Sequence, residues 1–361
     1  MRTGGARMSD SRNVRFAVVG LGIGQEHIQA IQEEPGAELA AVAATDEEAL
    51  RLVNKQSGVP GYLDYRHLLA RDDVDVVCVC VPSGLHAEVG IAAAKAGKHV
   101  LCEKPLDTSL ERADALIRAC REAGVHLGAV FQNRFHPVSQ AIKQAVDAGR
   151  LGRIVYADTH LYWYRAESYF TGGDPAGWHG TWRLDGGGAF INQGVHSVDL
   201  IQWLAGPVAS VYAKAGTFTH RIEAEDVGTA LLTFRSGALG NITCTTSAYP
   251  GLTSDFHLVG EQGSIVVRDL SLVTWRLRGE SREAEESEER EMIQRYSSSS
   301  PSPALDPKVV GGHRAHIADM VGAVREGRSP KLDGQSARPG LALALAILES
   351  ARTGREVEVA G

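Results

Sequence analysis

The chain has 361 residues, of which 43% are hydrophobic and 22% charged, and its formal net charge is −7. This length exceeds what one ordinary hydrophobic core needs and suits two domains. The acidic balance and the lack of a dense Lys/Arg run argue against a nucleic-acid or anionic-membrane surface, so we expect a small molecule as the partner.

The sequence indicates neither a membrane span nor a signal peptide. No segment reaches about 18 apolar residues without a charge, the length of a spanning helix. Residues 1–13 are polar and are interpreted as a disordered tail. Cys78 and Cys80 lie inside the apolar run VDVVCVCVP. This placement favours buried reduced thiols over disulfides or a zinc site, and it fits a reducing cytoplasm.

Residues 14–134 alternate between apolar strands and amphipathic helices. The central predicted strands are apolar on both faces, as in a parallel sheet that helices cover on each side. We therefore predict an α/β domain with a doubly wound parallel sheet. Its strands are predicted at 14–20, 37–44, 74–82, 99–105 and 125–134, and its helices at 25–34, 46–56, 65–70, 86–97 and 110–124.

The pattern changes in the second predicted domain, residues 135–361. After a helix at 138–149, strands follow strands and are separated by turn pairs such as Ser236-Gly237. This order predicts an α+β domain with a large, mostly antiparallel open sheet. Residues 282–307 are acidic and then rich in Ser and Pro, so we expect little order there. Two helices, around 313–326 and 337–353, close the chain.

A glycine loop, GLGIGQEH, follows the first predicted strand. The loop contains Gly20, Gly22, Ile23 and Gly24. Its glycines allow a sharp turn and let a pyrophosphate approach the amides at a helix N-terminus. The third glycine comes one residue earlier than in GxGxxG. An ordinary strand-to-helix turn would look similar, but the position at the start of the first βαβ unit favours a dinucleotide site.

The end of the second predicted strand leaves the choice between NAD and NADP open. A carboxylate at this place usually holds the adenosine ribose hydroxyls. If the strand stops at Ala44, no carboxylate occupies it, because Asp46 is better interpreted as the N-cap of the next helix. Thr45 could hydrogen-bond a 2′-phosphate, yet no arginine stands beside it.

Two further motifs carry candidate chemistry. The lysine of EKP, Lys104, follows a predicted parallel strand, at the edge where open α/β sheets bind ligands. The segment 186–206, GGGAFINQGVHSVDLIQWLAG, is predicted as a helix in which Asn192, His196 and Asp199 share one stripe. A polar stripe of this kind is typical of a helix that lines a ligand cleft. Alternatively, His196 is a core histidine whose hydrogen-bonding partner is Asp199.

These motifs, together with VPSGLHAE, FQNRFHP and GTWRLDGGG, resemble the glucose–fructose oxidoreductase / inositol dehydrogenase / MocA (Gfo/Idh/MocA) family from about residue 14 onward. The resemblance implies an N-terminal Rossmann domain, a C-terminal open sheet and a nicotinamide between them. It implies hydride transfer between NAD or NADP and a carbinol or carbonyl of a cyclic sugar, sugar derivative or inositol. It also implies a homodimer or homotetramer joined through the C-terminal sheet.

The same resemblance makes Lys104 and His196 the catalytic residues. A histidine can exchange the hydroxyl proton while hydride leaves, and an ammonium beside it would stabilise the developing alkoxide. Many dehydrogenases of the family have aspartate where this chain has Asn192. Asparagine cannot act as a base, so we assign it substrate orientation and leave proton transfer to His196 alone.

Cofactor and substrate positions follow by matching motifs. Aromatic faces suit sugar C–H surfaces, and arginines suit hydroxyls or a carboxylate. For Trp163 we prefer a role in an aromatic cluster that supports the sheet. The predicted cofactor residues are Gly20, Gly22, Ile23, Gly24, Thr45, Pro82, Ser83, His86, Glu103, Lys104 and Gln132. The predicted substrate residues are Lys104, Asn133, Arg134, Tyr164, Arg165, Trp182, Arg183, Asn192 and His196.

Gly194 and the triple glycine are expected to let bound molecules approach the backbone closely. The histidines show no HExxH or paired His/Cys spacing, so no metal is expected. Two other functions stay open: a glycosidase that uses NAD transiently without net redox change, and a non-catalytic dinucleotide-binding sensor. Because both Lys104 and His196 are present, the sequence favours an NAD(P)-dependent sugar or polyol dehydrogenase.

Overall fold

The computed structural model describes residues 12–297 and 312–361. Most of the predicted N-terminal tail, and the Ser/Pro-rich stretch from 298 to 307, lie outside these described residues. The chain divides into two units. The first contains the described parts of Met1–Phe131, Gly173–Trp178 and Gly311–Arg338, and the second those of Gln132–Gly172, His179–Val310 and Pro339–Gly361. The division at residue 134 drawn from the sequence leaves 312–338 in the second domain instead.

Strands and helices are numbered along the whole chain. The strands are β1 Val14–Val19, β2 Ala37–Ala43, β3 Gly61–Tyr62, β4 Val76–Val79, β5 His99–Cys102, β6 Leu127–Ala129, β7 Ile154–Tyr162, β8 Val208–Gly216, β9 Val227–Phe234, β10 Leu239–Thr245, β11 Ser254–Gly260, β12 Gly263–Arg268, β13 Ser271–Leu277 and β14 Val357–Glu358. The helices are α1 Gly24–Glu33, α2 Glu47–Ser57, α3 Tyr65–Leu69, α4 His86–Lys95, α5 Leu110–Ala123, α6 Gln132–Phe135, α7 Pro137–Asp147, α8 Glu167–Thr171, α9 Val195–Ala205, α10 Arg282–Tyr296, α11 Gly312–Glu326 and α12 Gly334–Thr353.

The first unit is built on a six-stranded parallel sheet with the order β3-β2-β1-β4-β5-β6. Strand β4 is buried throughout, because helices cover both faces of the sheet. Ile317 and Met320 of α11 join the core formed by β1 and α1. The predicted doubly wound Rossmann sheet is confirmed. The predicted strand at 125–134 is too long, since β6 ends at Ala129 and α6 begins at Gln132.

The second unit contains an eight-stranded sheet with the order β13-β12-β11-β7-β10-β9-β8-β14. Its strand pairs are antiparallel except for the parallel pair of β7 and β10. Strand β9 alternates strictly between buried and exposed residues after its first position. One face of the sheet is therefore packed and the other open, which confirms the predicted α+β domain.

The prediction of little order is wrong for residues 282–296, which form α10. Ser281 caps this helix by accepting the amide of Ala284 at 3.2 Å. The indole Nε1 of Trp275 on β13 donates to Glu288 at 3.1 Å, and Arg150 donates to the same carboxylate. The acidic composition suggested a solvated coil, but a cap and these cross-chain contacts stabilise a surface helix. None of the helices in the described ranges is long and apolar enough to cross a membrane.

Candidate active site

The glycine loop after β1 has the backbone geometry that a dinucleotide needs. Gly20 has φ +96°, and a Cβ there would lie 2.4 Å from the carbonyl oxygen of Cys80. A Cβ on Gly24, the first residue of α1, would lie 2.8 Å from Val18. Gly24 thus provides close helix–strand packing even though it comes one residue early. A Cβ on Gly22 would meet no protein atom within 4 Å, which leaves room for a phosphate at the start of α1.

Ile23 is 42% exposed beside Gly22, an unusual position for a large apolar side chain and one that suits contact with a cofactor. The loop residues as a group fit a nicotinamide dinucleotide, which would be held by the amides at the start of α1.

A carboxylate lies at the end of β2 after all, but it comes from a distant segment. The hydroxyl Oγ1 of Thr45 donates to Oδ2 of Asp174 at 2.9 Å. Asp174 belongs to Gly173–Trp178, which is part of the first unit. The side chain of Asp46 accepts from the amides of the first turn of α2, as expected of an N-cap.

Pro82 and Ser83 follow β4, and Ser83 is buried at the start of a short 3-10 turn. His86 begins α4 and is only 1% exposed. Its Nδ1 lies 2.6 Å from the carbonyl oxygen of Pro105, and its Nε2 lies 2.8 Å from that of Val81. These contacts join the turn after β4 to the turn after β5. The predicted contact of His86 with the cofactor, like those of Pro82 and Ser83, stays a prediction.

The turn that carries Lys104 is anchored by the buried carboxylate of Glu103. Oε1 of Glu103 accepts from Nε2 of His27 at 2.8 Å and from Nε2 of His313 at 3.0 Å. Oε2 accepts from the backbone amide of Lys104 at 3.1 Å. One carboxylate therefore connects α1, α11 and the end of β5. The sequence did not indicate His313, because it lies 210 positions from its partner.

The charge state of this cluster follows from burial and hydrogen bonding. Burial by itself raises the pKa of Glu103, but hydrogen bonds from His27 and His313 outweigh it and hold that pKa well below its usual range. Burial lowers the pKa of His27. The pair is thus an ionised carboxylate with a neutral imidazole that donates from Nε2.

The same three side chains bring potential metal-ligand atoms within 4.8 Å of one another. Their nitrogen–oxygen distances of 2.8 and 3.0 Å are those of hydrogen bonds. Since the hydrogen bonds account for this arrangement, we assign the cluster a supporting role.

In the second unit, residues 186–206 do not form one helix. Residues Ala189–Gln193 form a π-helical turn, and α9 begins at Val195. A Cβ on Gly188 would lie 1.9 Å from the carbonyl oxygen of Glu225, and one on Gly194 would lie 2.5 Å from Sγ of Cys244. The expectation that these glycines admit bound molecules is therefore corrected. Without side chains, Gly188 and Gly194 instead let the backbone pack closely against Glu225 and Cys244 of the same chain.

His196 lies in the first turn of α9 and is the one residue between 191 and 200 that is not buried. Asp199, one turn later, is paired with Arg134. The Arg134 guanidinium donates from Nε to Oδ2 at 2.7 Å and from its terminal nitrogen to Oδ1 at 2.6 Å. It also lies 5.5 Å from the ring centroid of Trp203. Arg134 thus holds α6 against α9, a role that its placement in the substrate set did not foresee.

Asn192 belongs to a buried polar network. Its Nδ2 donates to Oδ2 of Asp185 at 2.8 Å and to Nδ1 of His179 at 2.9 Å. Its Oδ1 accepts from Gln193, whose Nε2 also donates to the hydroxyl of Tyr169 at 2.8 Å. The contacts orient the Asn192 amide, and substrate orientation by Asn192 stays a prediction. Asp185, His179, Gln193 and Tyr169 were missed, because isolated polar residues between helices carry no periodic signal.

The remaining predicted substrate residues are also in the second unit. Arg165 donates to Oε1 of Gln193 at 2.8 Å, and its guanidinium lies 5.0 Å from the ring centroid of Trp163. Burial lowers the pKa of Arg165. Tyr164 packs edge-on against Tyr249.

Trp182 is 49% exposed, and Arg183 beside it is exposed too. Gln132 and Asn133 are half-buried in α6. Of the predicted residues, Arg165 and Asn192 both contact Gln193 within one network, whereas Trp182 and Arg183 are open to solvent.

The stability of the protein is predicted to fall as the pH drops below about 6.5. His316 of α11 is 3% exposed, and burial lowers its pKa to about 3. Between these two pH values the unfolded chain binds a proton that the folded chain does not. Each such histidine therefore removes about 1.4 kcal/mol of unfolding free energy per pH unit on acidification.

Urea denaturation of wild type and His316→Gln at pH 4.5 to 7 measures this slope. The variant is expected to lose less stability on acidification than wild type. His67→Gln, at an exposed position of α3, is the control and should keep the wild-type slope. Equal slopes for wild type and His316→Gln would contradict the prediction.

The Arg134–Asp199 pair is predicted to stabilise the second unit. Arg134→Met leaves the buried Asp199 carboxylate without its partner and should cost about 3–5 kcal/mol of unfolding free energy. The double variant Arg134→Met/Asp199→Leu should recover most of that loss, since no charge is then buried. Chemical denaturation measures both. Unchanged stability with a raised KM in Arg134→Met would instead indicate direct contact with substrate.

Comparison with known proteins places this chain among relatives along its whole length. Residues 14–131 match the model of the oxidoreductase family with an NAD-binding Rossmann fold, and residues 139–266 match the Gfo/Idh/MocA C-terminal domain. The WlbA dehydrogenase from Bordetella pertussis, solved in complex with NADH and UDP-GlcNAcA, is 36% identical with a TM-score of 0.87. The alignment covers 97% of this chain and 99% of that one.

Two further relatives extend the range of named activities. The myo-inositol 2-dehydrogenase of Thermotoga maritima is 29% identical, over 96% of this chain and 98% of that protein. The D-xylose 1-dehydrogenase (NADP(+)) 2 of Haloferax volcanii is 28% identical, over 95% of this chain and 99% of that protein. From its glycine loop, its two sheets and these matches, the chain belongs to the Gfo/Idh/MocA family of NAD(P)-dependent oxidoreductases.

Proposed function

We propose that this protein is a dehydrogenase of a cyclic sugar, sugar derivative or inositol, with Lys104 and His196 as its catalytic residues. The proposal is supported by the contact that holds the Lys104 backbone and by the burial pattern around His196. Glu103 fixes the backbone of Lys104 at the end of β5, next to a loop that fits the dinucleotide. His196 is half-buried at the start of α9, while its neighbours are fully buried.

A bound nicotinamide would accept or donate the hydride. His196 takes the hydroxyl proton from the carbinol in the oxidative direction and returns it in the reductive one. The Lys104 ammonium stabilises the negative charge that develops on the carbinol oxygen. The Glu103 carboxylate, already hydrogen-bonded on both oxygens, restrains the lysine backbone. Asn192 donates both of its amide hydrogens, to Asp185 and His179, so it would orient a substrate hydroxyl through the remaining acceptor position of Oδ1.

Among possible substrates, a nucleotide-linked sugar acid is the first to test. The Bordetella pertussis relative, which binds UDP-GlcNAcA, shares more identical residues with this chain than the inositol or xylose dehydrogenases do. Arg165 and Arg183 in the second unit could pair with a carboxylate or phosphate. A turnover assay with UDP-GlcNAcA, myo-inositol and D-xylose, each with NAD and NADP, decides between these classes.

The same assay distinguishes the alternative functions. A transient-NAD glycosidase would cleave a glycoside without net NADH, and a sensor would bind NAD without turning over any substrate. Net NADH formation from a sugar or inositol supports the dehydrogenase. If no substrate of the panel gives net NADH although the protein binds the dinucleotide, the dehydrogenase proposal is contradicted.

Substitution of either catalytic residue is predicted to abolish most turnover but leave dinucleotide binding intact. Lys104→Met removes the ammonium and His196→Asn the base, and each should lower kcat by about two to four orders of magnitude. Steady-state kinetics and calorimetry with NAD measure the two effects separately. Lys95→Met and His67→Asn change the same residue types at exposed positions and serve as controls. Near-normal kcat in either catalytic variant would overturn the assignment.

We further propose that the protein works in the cytoplasm as a homodimer or homotetramer joined through the open face of its large sheet. All five cysteines are buried and free. On the sheet, Leu231 and Leu239 are 64% and 60% exposed, although both are apolar. A second copy that covers this face would remove them from water.

A charge on the open face is predicted to break the assembly. Leu231→Glu would bury a carboxylate at the contact, so the mass measured by light scattering should fall towards that of one chain. Leu63→Glu is the matched control, since Leu63 is 56% exposed but lies in the first unit. A wild-type mass of one chain, or an unchanged mass in Leu231→Glu, would exclude this face as the interface.

A further inference from the structure

The Thr45–Asp174 contact lies where a dinucleotide-binding sheet selects its cofactor. In such sheets the residue that meets the adenosine ribose follows the second strand. Here β2 ends at Ala43, and Thr45 follows two residues later. Oγ1 of Thr45 donates to Oδ2 of Asp174 at 2.9 Å, which brings a carboxylate to this place from 129 positions away.

The acidic residues nearer in sequence have partners in α2, which Asp46 binds through one of its two carboxylate oxygens. Oδ1 of Asp46 accepts the amides of Glu48 and Ala49 at 2.9 and 3.1 Å, so Asp46 caps α2. Glu48 pairs with Arg51 at 2.6 Å. Arg51 thus forms its ion pair with a carboxylate of its own helix, α2.

The segment that carries Asp174 is a closed turn. Gly173 has φ +92°, and a Cβ there would lie 2.8 Å from the indole of Trp178. The turn therefore folds onto its own tryptophan and presents Asp174 to Thr45. In the part of the chain that the structure describes, Asp174 forms no salt bridge with an arginine or lysine.

We propose that Asp174 is the residue that makes this enzyme prefer NAD over NADP. Its carboxylate would accept a hydrogen bond from the adenosine ribose of NAD, with Thr45 holding it in place. The 2′-phosphate of NADP would meet the same negative charge with no basic partner beside it. For exposed charges a few ångströms apart, this repulsion corresponds to about ten- to thirtyfold in Kd.

The inference rests on the proposed function only in requiring that the protein binds a nicotinamide dinucleotide. It is tested by calorimetric titration of the full chain with NAD and, separately, with NADP. Wild type should bind NAD more tightly. Asp174→Asn keeps the size of the side chain and removes its charge, so the NAD/NADP ratio of affinities should fall about tenfold. Most of that change should come from tighter NADP binding.

Two controls make the result specific. Glu38→Gln removes a charge from an exposed residue near the start of β2, about 20 Å along the strand from Thr45, and should leave the ratio unchanged. Raising the ionic strength should reduce the NAD preference of wild type and have little effect in Asp174→Asn, because salt screens exposed charges.

The outcomes separate this inference from the function itself. Binding of both cofactors with the same ratio in wild type and Asp174→Asn would overturn the role of Asp174 and leave the dehydrogenase proposal standing. A wild-type preference for NADP would overturn it as well. Failure to bind either dinucleotide would overturn both proposals.

Discussion

The buried carboxylate of Glu103 is the point on which the first unit depends. It accepts hydrogen bonds from His27 on α1 and His313 on α11 and holds the amide of Lys104. Burying an ionised carboxylate is costly unless donors surround it. These donors come from opposite ends of the chain, so the turn that carries Lys104 receives its full support only when α11 has packed onto the sheet. The packing of α11 and the placement of the Lys104 backbone are thereby coupled.

The second unit also buries a carboxylate, and there a different side chain stabilises the charge. The bidentate Arg134–Asp199 pair fixes α6 to α9, the helix whose first turn carries His196. The π-helical turn just before α9 directs Asn192 into a network with Asp185 and His179. In both units the side chain proposed for chemistry is not itself the anchor. Its neighbours in sequence are anchored, and the rigid backbone fixes the position from which that side chain extends.

Sequence reasoning recovered most of the elements of both sheets, because strong apolar patterns and glycine or proline boundaries report local structure well. It failed where local composition misled. The acidic run 282–296 looked like solvated coil, yet it forms α10 through a serine cap and contacts with Trp275. It also overlooked β3, which is only two residues long, and the π-helical turn, which breaks an apolar pattern that otherwise continues from Ile191 to Leu204.

The sequence by itself determined the fold class, the family, the glycine loop and the two candidate catalytic residues, since each depends on residues that are close together in the chain. Only the tertiary structure decided which groups support them. In the folded chain Asp199 pairs with Arg134, Glu103 accepts a hydrogen bond from a histidine of α11, and Asp174 accepts one from Thr45. Such pairs join residues 65, 210 and 129 positions apart. No local pattern encodes them, because a hydrogen bond depends on where packing brings two side chains and not on their separation along the chain.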